Sequence, residues 1–143
     1  MFFLKELPSE AILLRYAERF PDMDIDKTRK ALQMMRDASL LMRTLEAHFR
    51  SFDLSMTRFL ILIVLDRKPE TDPFSISDLV RQLDISKPVV TDTVQRLAQA
   101  GLIDLEHNRS DGRQKLVSIT QSGKNLINEL LPGYYRIINR HVG

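Results

Sequence analysis

Residues 76–103 read ISDLVRQLDISKPVVTDTVQRLAQAGLI, and the punctuation of that stretch decides the fold. Ser77 precedes a compact run, Asp78 to Leu83, in which Leu79, Val80 and Leu83 share one helical face. Four residues, Leu83, Asp84, Ile85 and Ser86, connect it to a second helix. Ser86 has N-cap chemistry, Pro88 sits just inside the first turn where a missing N–H costs nothing, and Gly101 closes the helix as a C′ residue. The second helix therefore spans about Lys87 to Ala100. Two helices joined this tightly form a helix-turn-helix, whose second helix enters the major groove and offers its N-terminal residues to base edges. Val90, Val94, Leu97 and Ala98 make its inward stripe, and Lys87, Pro88, Thr91, Asp92 and Gln95 fall on the other side. That side carries a cation for phosphate or guanine, a hydroxyl, and an amide able to pair bidentately with adenine. Ser86 and the first backbone N–H groups are placed to grip a phosphate. An ordinary solvated helix face has the same composition, so the helix alone does not decide between the two.

The next residues shift the balance. Leu102 to Glu106 and Lys115 to Ile119 alternate like strands, and the polar tip from His107 to Gln114 joins them as a hairpin. The tip holds Arg109 and Arg113, whose guanidinium groups are suited to an adjacent minor groove or its phosphates. Asp111, two residues before Arg113, is spaced to hold that arginine in position. A basic turn is commonplace, but one that follows a helix-turn-helix at once is much less so. Beyond Thr120, a capping residue, the final helix carries Leu126, Ile127, Leu130, Leu131, Tyr134, Tyr135, Ile137 and Ile138. This stripe is wider than one small core needs, and Pro132 and Gly133 are expected to kink or break the helix near its middle.

Upstream, Phe59 to Leu65 is uninterruptedly apolar, and periodicity cannot choose between buried strand and buried helix. Lys68 to Pro73 is a polar loop with two prolines. Before them a long amphipathic helix, roughly Lys27 to Phe52, shows apolar residues at steps of three and four from Ala31 to Phe52, with Asp24 and Asp26 as caps. Arg29, Arg36, Arg43 and Arg50 follow one another at seven-residue steps on its other side and read as a solvated face. A first helix from Ser9 to Phe20 is stopped by Pro21.

The 143 residues suffice for one cooperative unit, and 43% of them are hydrophobic. With 21 Lys+Arg against 19 Asp+Glu, the net charge of +2 proves no nucleic-acid partner, so any basic surface must come from local clustering. The absence of cysteine removes disulfides, thiolate metal sites and thiol redox switching, and fits a reducing compartment. No segment reads as a membrane span or signal peptide, so a cytoplasmic location is expected. His48, His107 and His141 lie on three different elements, with no Gly-rich phosphate loop and no paired acid and base, so neither catalysis, metal nor cofactor is expected.

Three segments together carry a resemblance. SDGRQKLVSITQSG, Ser110 to Gly123, looks like the wing signature of the MarR family of multiple-antibiotic-resistance-type regulators, with its D-x-R, a short strand and an L-T-x-x-G-like element, here Ile119 to Gly123. Ile76 to Ile103 is similar to the family's helix-turn-helix, and LSMTRFLILIVL, Leu54 to Leu65, resembles the helix before it, which favours helix for the apolar run. The resemblance covers about Leu32 to the C-terminus. It implies a mainly α fold with a small β-hairpin wing, and a homodimer held by N- and C-terminal helices. It further implies a palindromic operator on double-stranded DNA, commonly under repression. On this basis residues 1–143 form a single domain, with a winged helix-turn-helix over 53–119 and helical dimerisation regions over 9–52 and 120–143. The wide apolar stripe of the last helix and the apolar first helix ask for a dimer independently. By the family's pattern Arg113 is the wing arginine and Asp111 its partner, while Ser86, Lys87, Pro88, Thr91 and Gln95 occupy the recognition-helix positions. Asp92 departs from it, since a carboxylate near phosphates is costly unless it accepts from a cytosine amino group or pairs with a cation such as Arg96. Gly112 stands where a second arginine is common.

The family's small, often aromatic ligands bring in Met34, Met35, Met42, Phe49 and Met56 as candidate pocket residues, although methionines on an amphipathic stripe more often fill core. A winged helix that binds protein rather than DNA is the rival reading. Asp92 and the modest net charge favour it; Lys87, Arg109, Arg113 and the wing signature oppose it.

Overall fold

A computed structural model of the protein describes residues 4–69, 74–107 and 115–142. Its element order is α1 (Glu10–Arg19), α2 (Ile25–Arg50), α3 (Met56–Asp66), α4 (Ile76–Gln82), α5 (Lys87–Gln99), β1 (Ile103–His107), β2 (Lys115–Ile119) and α6 (Gln121–Val142). The chain divides into two compact units, Met1–Thr44 and Leu45–Gly143, with the boundary inside α2.

In the first unit, the Ser9 side chain caps α1 by accepting from the Ile12 N–H, and Asp24 caps α2 by accepting from the Lys27 N–H at 2.9 Å. Arg29 bridges the two helices through Glu10 at 3.1 Å and also pairs with Asp26. Arg36 donates to the Leu4 carbonyl. Leu13 is buried, yet Leu14, Tyr16, Phe20, Met34 and Met35 are all exposed, an apolar surface that this chain by itself leaves in water.

The second unit is built on α3. Phe59, Ile61, Leu62, Val64 and Leu65 are buried, so the continuous apolar run is a helix surrounded by neighbours: α5, α6 and β2 all pack against it. The last turns of α2 add Phe49, wholly buried, whose ring lies 4.3 Å from that of Phe59; Tyr134 of α6 completes the cluster at 5.0 Å from Phe59. Burial raises the Tyr134 phenol pKa above its ordinary value. Asp53, in a left-handed conformation (φ 56°), and the Leu54 N–H bonded to the Phe49 carbonyl end α2 at Arg50, two residues before the amphipathic pattern stops.

Pro132 does not break α6. The helix runs unbroken to Val142 because Leu130 and Gly133, on either side of the proline, are buried and hold it, while His48 Nε2 bonds the Leu130 carbonyl at 2.9 Å. Helix α4 starts at Ile76 rather than Asp78 because Ser75, not Ser77, caps it. Strands β1 and β2 pair antiparallel from Ile103↔Ile119 to His107↔Lys115. On its outer edge β2 takes a short third partner, with a bridge between Ser75 and Leu116 and the Val117 N–H donating to the Phe74 carbonyl at 2.7 Å.

The end of α5 and the start of α6 are tied together. Gly101 adopts φ 76°, the left-handed conformation that turns the chain out of α5. Thr120 donates its N–H to the Leu102 carbonyl at 3.1 Å and its hydroxyl to the Gly101 carbonyl at 2.7 Å, and its Oγ1 accepts the Gly123 N–H at 3.1 Å. Gly123 lies so close to the Leu102 carbonyl that a Cβ there would collide with backbone and with Ile119. Gly123→Ala should therefore destabilise the fold by about 1–3 kcal/mol, lowering the melting temperature by several degrees in a circular-dichroism melt. Exposed Ser122→Ala should leave it nearly unchanged.

Candidate nucleic-acid interface

Helix α5 is held from beneath by Val90, Thr93, Val94 and Leu97, all buried, against α3, α4 and β1. Thr93 is polar but satisfied, its hydroxyl bonding the Val89 carbonyl at 2.7 Å. The opposite face therefore projects into solvent: Ser86, Lys87, Pro88, Asp92 and Gln95 are exposed, and Thr91 is half-buried.

Lys87, Thr91 and Gln95 fall four residues apart and line one groove of about 200 Å³. Ser75, Ile76 and Ser77 at the start of α4 form one wall, and Leu105 of β1 with Lys115 of β2 form another. The groove thus collects hydroxyls, an amide and two lysines from the helix-turn-helix and the wing, with no carboxylate among the described residues that line it. Ser86 and Pro88 stand at the helix start, outside this lining. Ser86 takes N-cap backbone angles but makes no side-chain cap hydrogen bond. Arg109, Asp111 and Arg113 lie outside the described residues.

The sequence pattern did not single out Ser75 or Lys115, nor Val89, an apolar side chain that is 46% exposed in the first turn of α5. Ser75 was detectable as the start of an S-x-x-D capping box. Its hydroxyl accepts the Asp78 N–H at 3.1 Å while the Asp78 carboxylate accepts the Ser75 N–H at 2.8 Å. Lys115 becomes visible only when the hairpin register places it at the groove.

Asp92 pairs with Arg96, Oδ2 to Nε at 3.0 Å across one helical turn. Of the candidate ligand-pocket residues other than Met34, which is exposed, Phe49 is committed to the aromatic core and Met56 is half-buried at the start of α3, while Met35 and Met42 belong to the first unit and are exposed. A second cavity, of about 700 Å³, is lined by the end of α3, Phe74, β2 and Lys124 of α6, and by none of those four residues. Among the described residues there is no cluster of metal-ligating side chains, and no helix is long and apolar enough to cross a membrane.

A short helix, a tight turn, a solvent-facing second helix and a two-stranded wing define a winged helix-turn-helix protein. Residues 52–114 match the model of the MarR family. The chain is 26% identical over 137 residues to the HTH-type transcriptional repressor YetL of Bacillus subtilis (strain 168), covering 95% of this chain and 81% of the relative. Among solved structures it is similar to Sco3205, a MarR family transcriptional regulator from Streptomyces coelicolor in complex with DNA, at TM-score 0.77 and 19% identity over 84% of this chain and 75% of that one. It is also similar to Bordetella bronchiseptica BpsR, whose DNA binding is regulated by 6-hydroxynicotinic acid, at TM-score 0.67 and 22% identity over 78% and 77% of the two chains. The structural likenesses bear on the fold.

The capping box fixes the α4 wall of the groove, and it is pH-sensitive. The Ser75 N–H above all, with the Ser75 hydroxyl and the Arg81 charge, holds the Asp78 carboxyl pKa below its ordinary value of 3.8 against the opposing effect of burial. A depressed folded pKa gives stability that is present above the unfolded value and lost as pH falls through the folded one. Asp78→Ala should thus cost about 1 kcal/mol at neutral pH. The difference between the two proteins in urea melts should shrink once the pH drops below 3.8.

Proposed function

We propose that this protein is a sequence-specific DNA-binding repressor that works in the cytoplasm as a homodimer on an inverted-repeat operator. The observation that carries the reading is the groove in which Lys87, Thr91 and Gln95 of α5 meet Ser77 of α4 and Lys115 of the wing. It offers cations and neutral hydrogen-bonding groups on one face, the mixture that phosphate positioning and base-edge readout require.

Each residue then has a task. The uncapped first turn at Ser86 receives a phosphate, Lys87 and Lys115 neutralise backbone charge, and Thr91 and Gln95 meet base edges. Val89 supplies an apolar contact of the kind a thymine methyl accepts. Arg109 and Arg113, with Asp111 positioning Arg113, extend the contact to the neighbouring minor groove. The exposed apolar residues of α1 and α2, with Tyr135 and Val142 of α6, are the material for a dimer interface. These are recognition groups, and the proposal includes no catalytic step. Release by a small aromatic ligand completes it, in keeping with BpsR.

Selection of duplexes from a random library by the purified protein, with its solution mass measured alongside, tests the reading. An enriched inverted repeat bound by a dimer is expected, with affinity falling steeply as salt rises because phosphate contacts release counterions. A folded protein that enriches nothing at low salt would point instead to a protein-binding winged helix. On the selected operator, Arg113→Ala should weaken binding to all sequences and flatten the salt dependence by about one unit of slope. Gln95→Ala should instead change preference at particular base pairs, by about 1–3 kcal/mol at each.

A further inference from the structure

Asp92 is set at the middle of the face that α5 turns to solvent. It is two residues from both Val90 and Val94, which are wholly buried, and so projects about 160° away from each round the helix. Its side chain is 63% exposed. A helix lying in the major groove with this face toward the bases brings a carboxylate to the base edges, between Gln95 on one flank and Arg96 on the other. An unpaired carboxylate there would meet the negative field of both phosphate strands. The structure shows it paired: Arg96 donates Nε–H to Asp92 Oδ2 at 3.0 Å. That bond uses one of the five guanidinium donors and leaves the rest of the carboxylate's lone pairs for another donor.

From this placement we infer that Asp92 is a specificity-determining residue, one that accepts a hydrogen bond from the exocyclic amino group of cytosine in the major groove. Arg96 is its positioning residue. A carboxylate is an acceptor only; cytosine presents its N4 donor alone in the major groove, whereas adenine sets its N6 donor beside the N7 acceptor, which repels a carboxylate. Guanine and thymine offer acceptors at the corresponding places and are rejected by charge as well as by the missing hydrogen bond. Arg96 fixes the carboxylate's orientation and cancels its charge at long range, so that the penalty falls on the wrong base and not on DNA as such. The ion pair is exposed and contributes little to folding. Its worth lies in recognition. The inference rests on the DNA-binding reading above.

The test compares the full-length protein with Asp92→Asn, Arg96→Gln and the double variant, all expected to melt close to the wild type. Each is used in random-duplex selection, followed by affinity measurement on the wild-type operator. Wild type should require cytosine at one position of each half-site. Asp92→Asn should lose that requirement there alone and bind the operator about tenfold more weakly or worse. Arg96→Gln should weaken binding strongly when Asp92 is present and much less when it is replaced, a coupling that a simple phosphate contact would not show. The inference is overturned if Asp92→Asn tightens binding to all duplexes alike, or leaves every base preference intact. It also fails if the loss from Arg96→Gln is the same in both backgrounds. A wild type that selects an operator while Asp92→Asn selects the same one refutes the role of Asp92 alone, whereas a wild type that selects nothing refutes DNA binding as well.

Discussion

The carbonyl of Leu102 is the junction on which the second unit depends. It receives the Thr120 N–H at 3.1 Å, closing the base of the hairpin, and Gly123 approaches the same oxygen too closely for any side chain. Thr120 meanwhile bonds the Gly101 carbonyl and the Gly123 N–H. One short stretch of chain therefore fixes three things: the exit from α5, the register of the two strands, and the entry into α6. The angle between the wing and α5 follows from these bonds, and so does the placing of Lys115 and Gln95 in one groove. The threonine and the glycine three residues later are required by geometry. A hydroxyl must satisfy two backbone partners, and the absence of a Cβ lets the helix start against a carbonyl.

Under that junction lies a core that holds α5 rigid without its being basic or long. Helix α3 is apolar on nearly every side because it is covered on nearly every side, and α5 rests on it through Val90, Val94 and Leu97. A recognition surface benefits from such support, since side chains held within a fraction of an ångström lose less freedom on binding. The helical dimerisation regions expected over 9–52 and 120–143 remain part of the proposed function. Helix α2 is continuous, and its last turns end against the aromatic cluster of Phe49, Phe59 and Tyr134.

The helix-turn-helix was legible because its signals are local: Pro88 in a first turn, Gly101 past a last one, and an apolar stripe of the right period. The winged fold followed from the wing signature and holds in the structure. What local pattern misjudged were the places where tertiary contacts outweigh it. Pro132 is a helix breaker by composition, yet packing on both sides of it keeps α6 whole. Ser77 looks like a cap as readily as Ser75 does, and only the reciprocal bonds with Asp78 choose between them. Phe49 shares a stripe with the methionines but is drawn into the core by two aromatic neighbours it could not reveal in one dimension. Lys115 and Leu105 enter the groove through strand register, which depends on a carbonyl and a threonine far from either.

A net charge of +2 is a poor guide to partners here, because charge is sorted by position. Two acidic side chains of this region are paired: Asp78 is locked in a cap with Arg81 beside it, and Asp92 is paired with Arg96. Among the described residues the groove itself is lined by Lys87 and Lys115 without a carboxylate. Pairing those two acids while leaving the two lysines at the groove places positive charge locally on a nearly neutral molecule. Such a protein would be drawn less strongly to random DNA than a strongly basic one, since non-specific affinity scales with the number of phosphates neutralised. A larger share of its affinity would then have to come from base contacts. On that ground a carboxylate in the reading face is consistent with a regulator whose discrimination lies in hydrogen bonds at base edges more than in total charge.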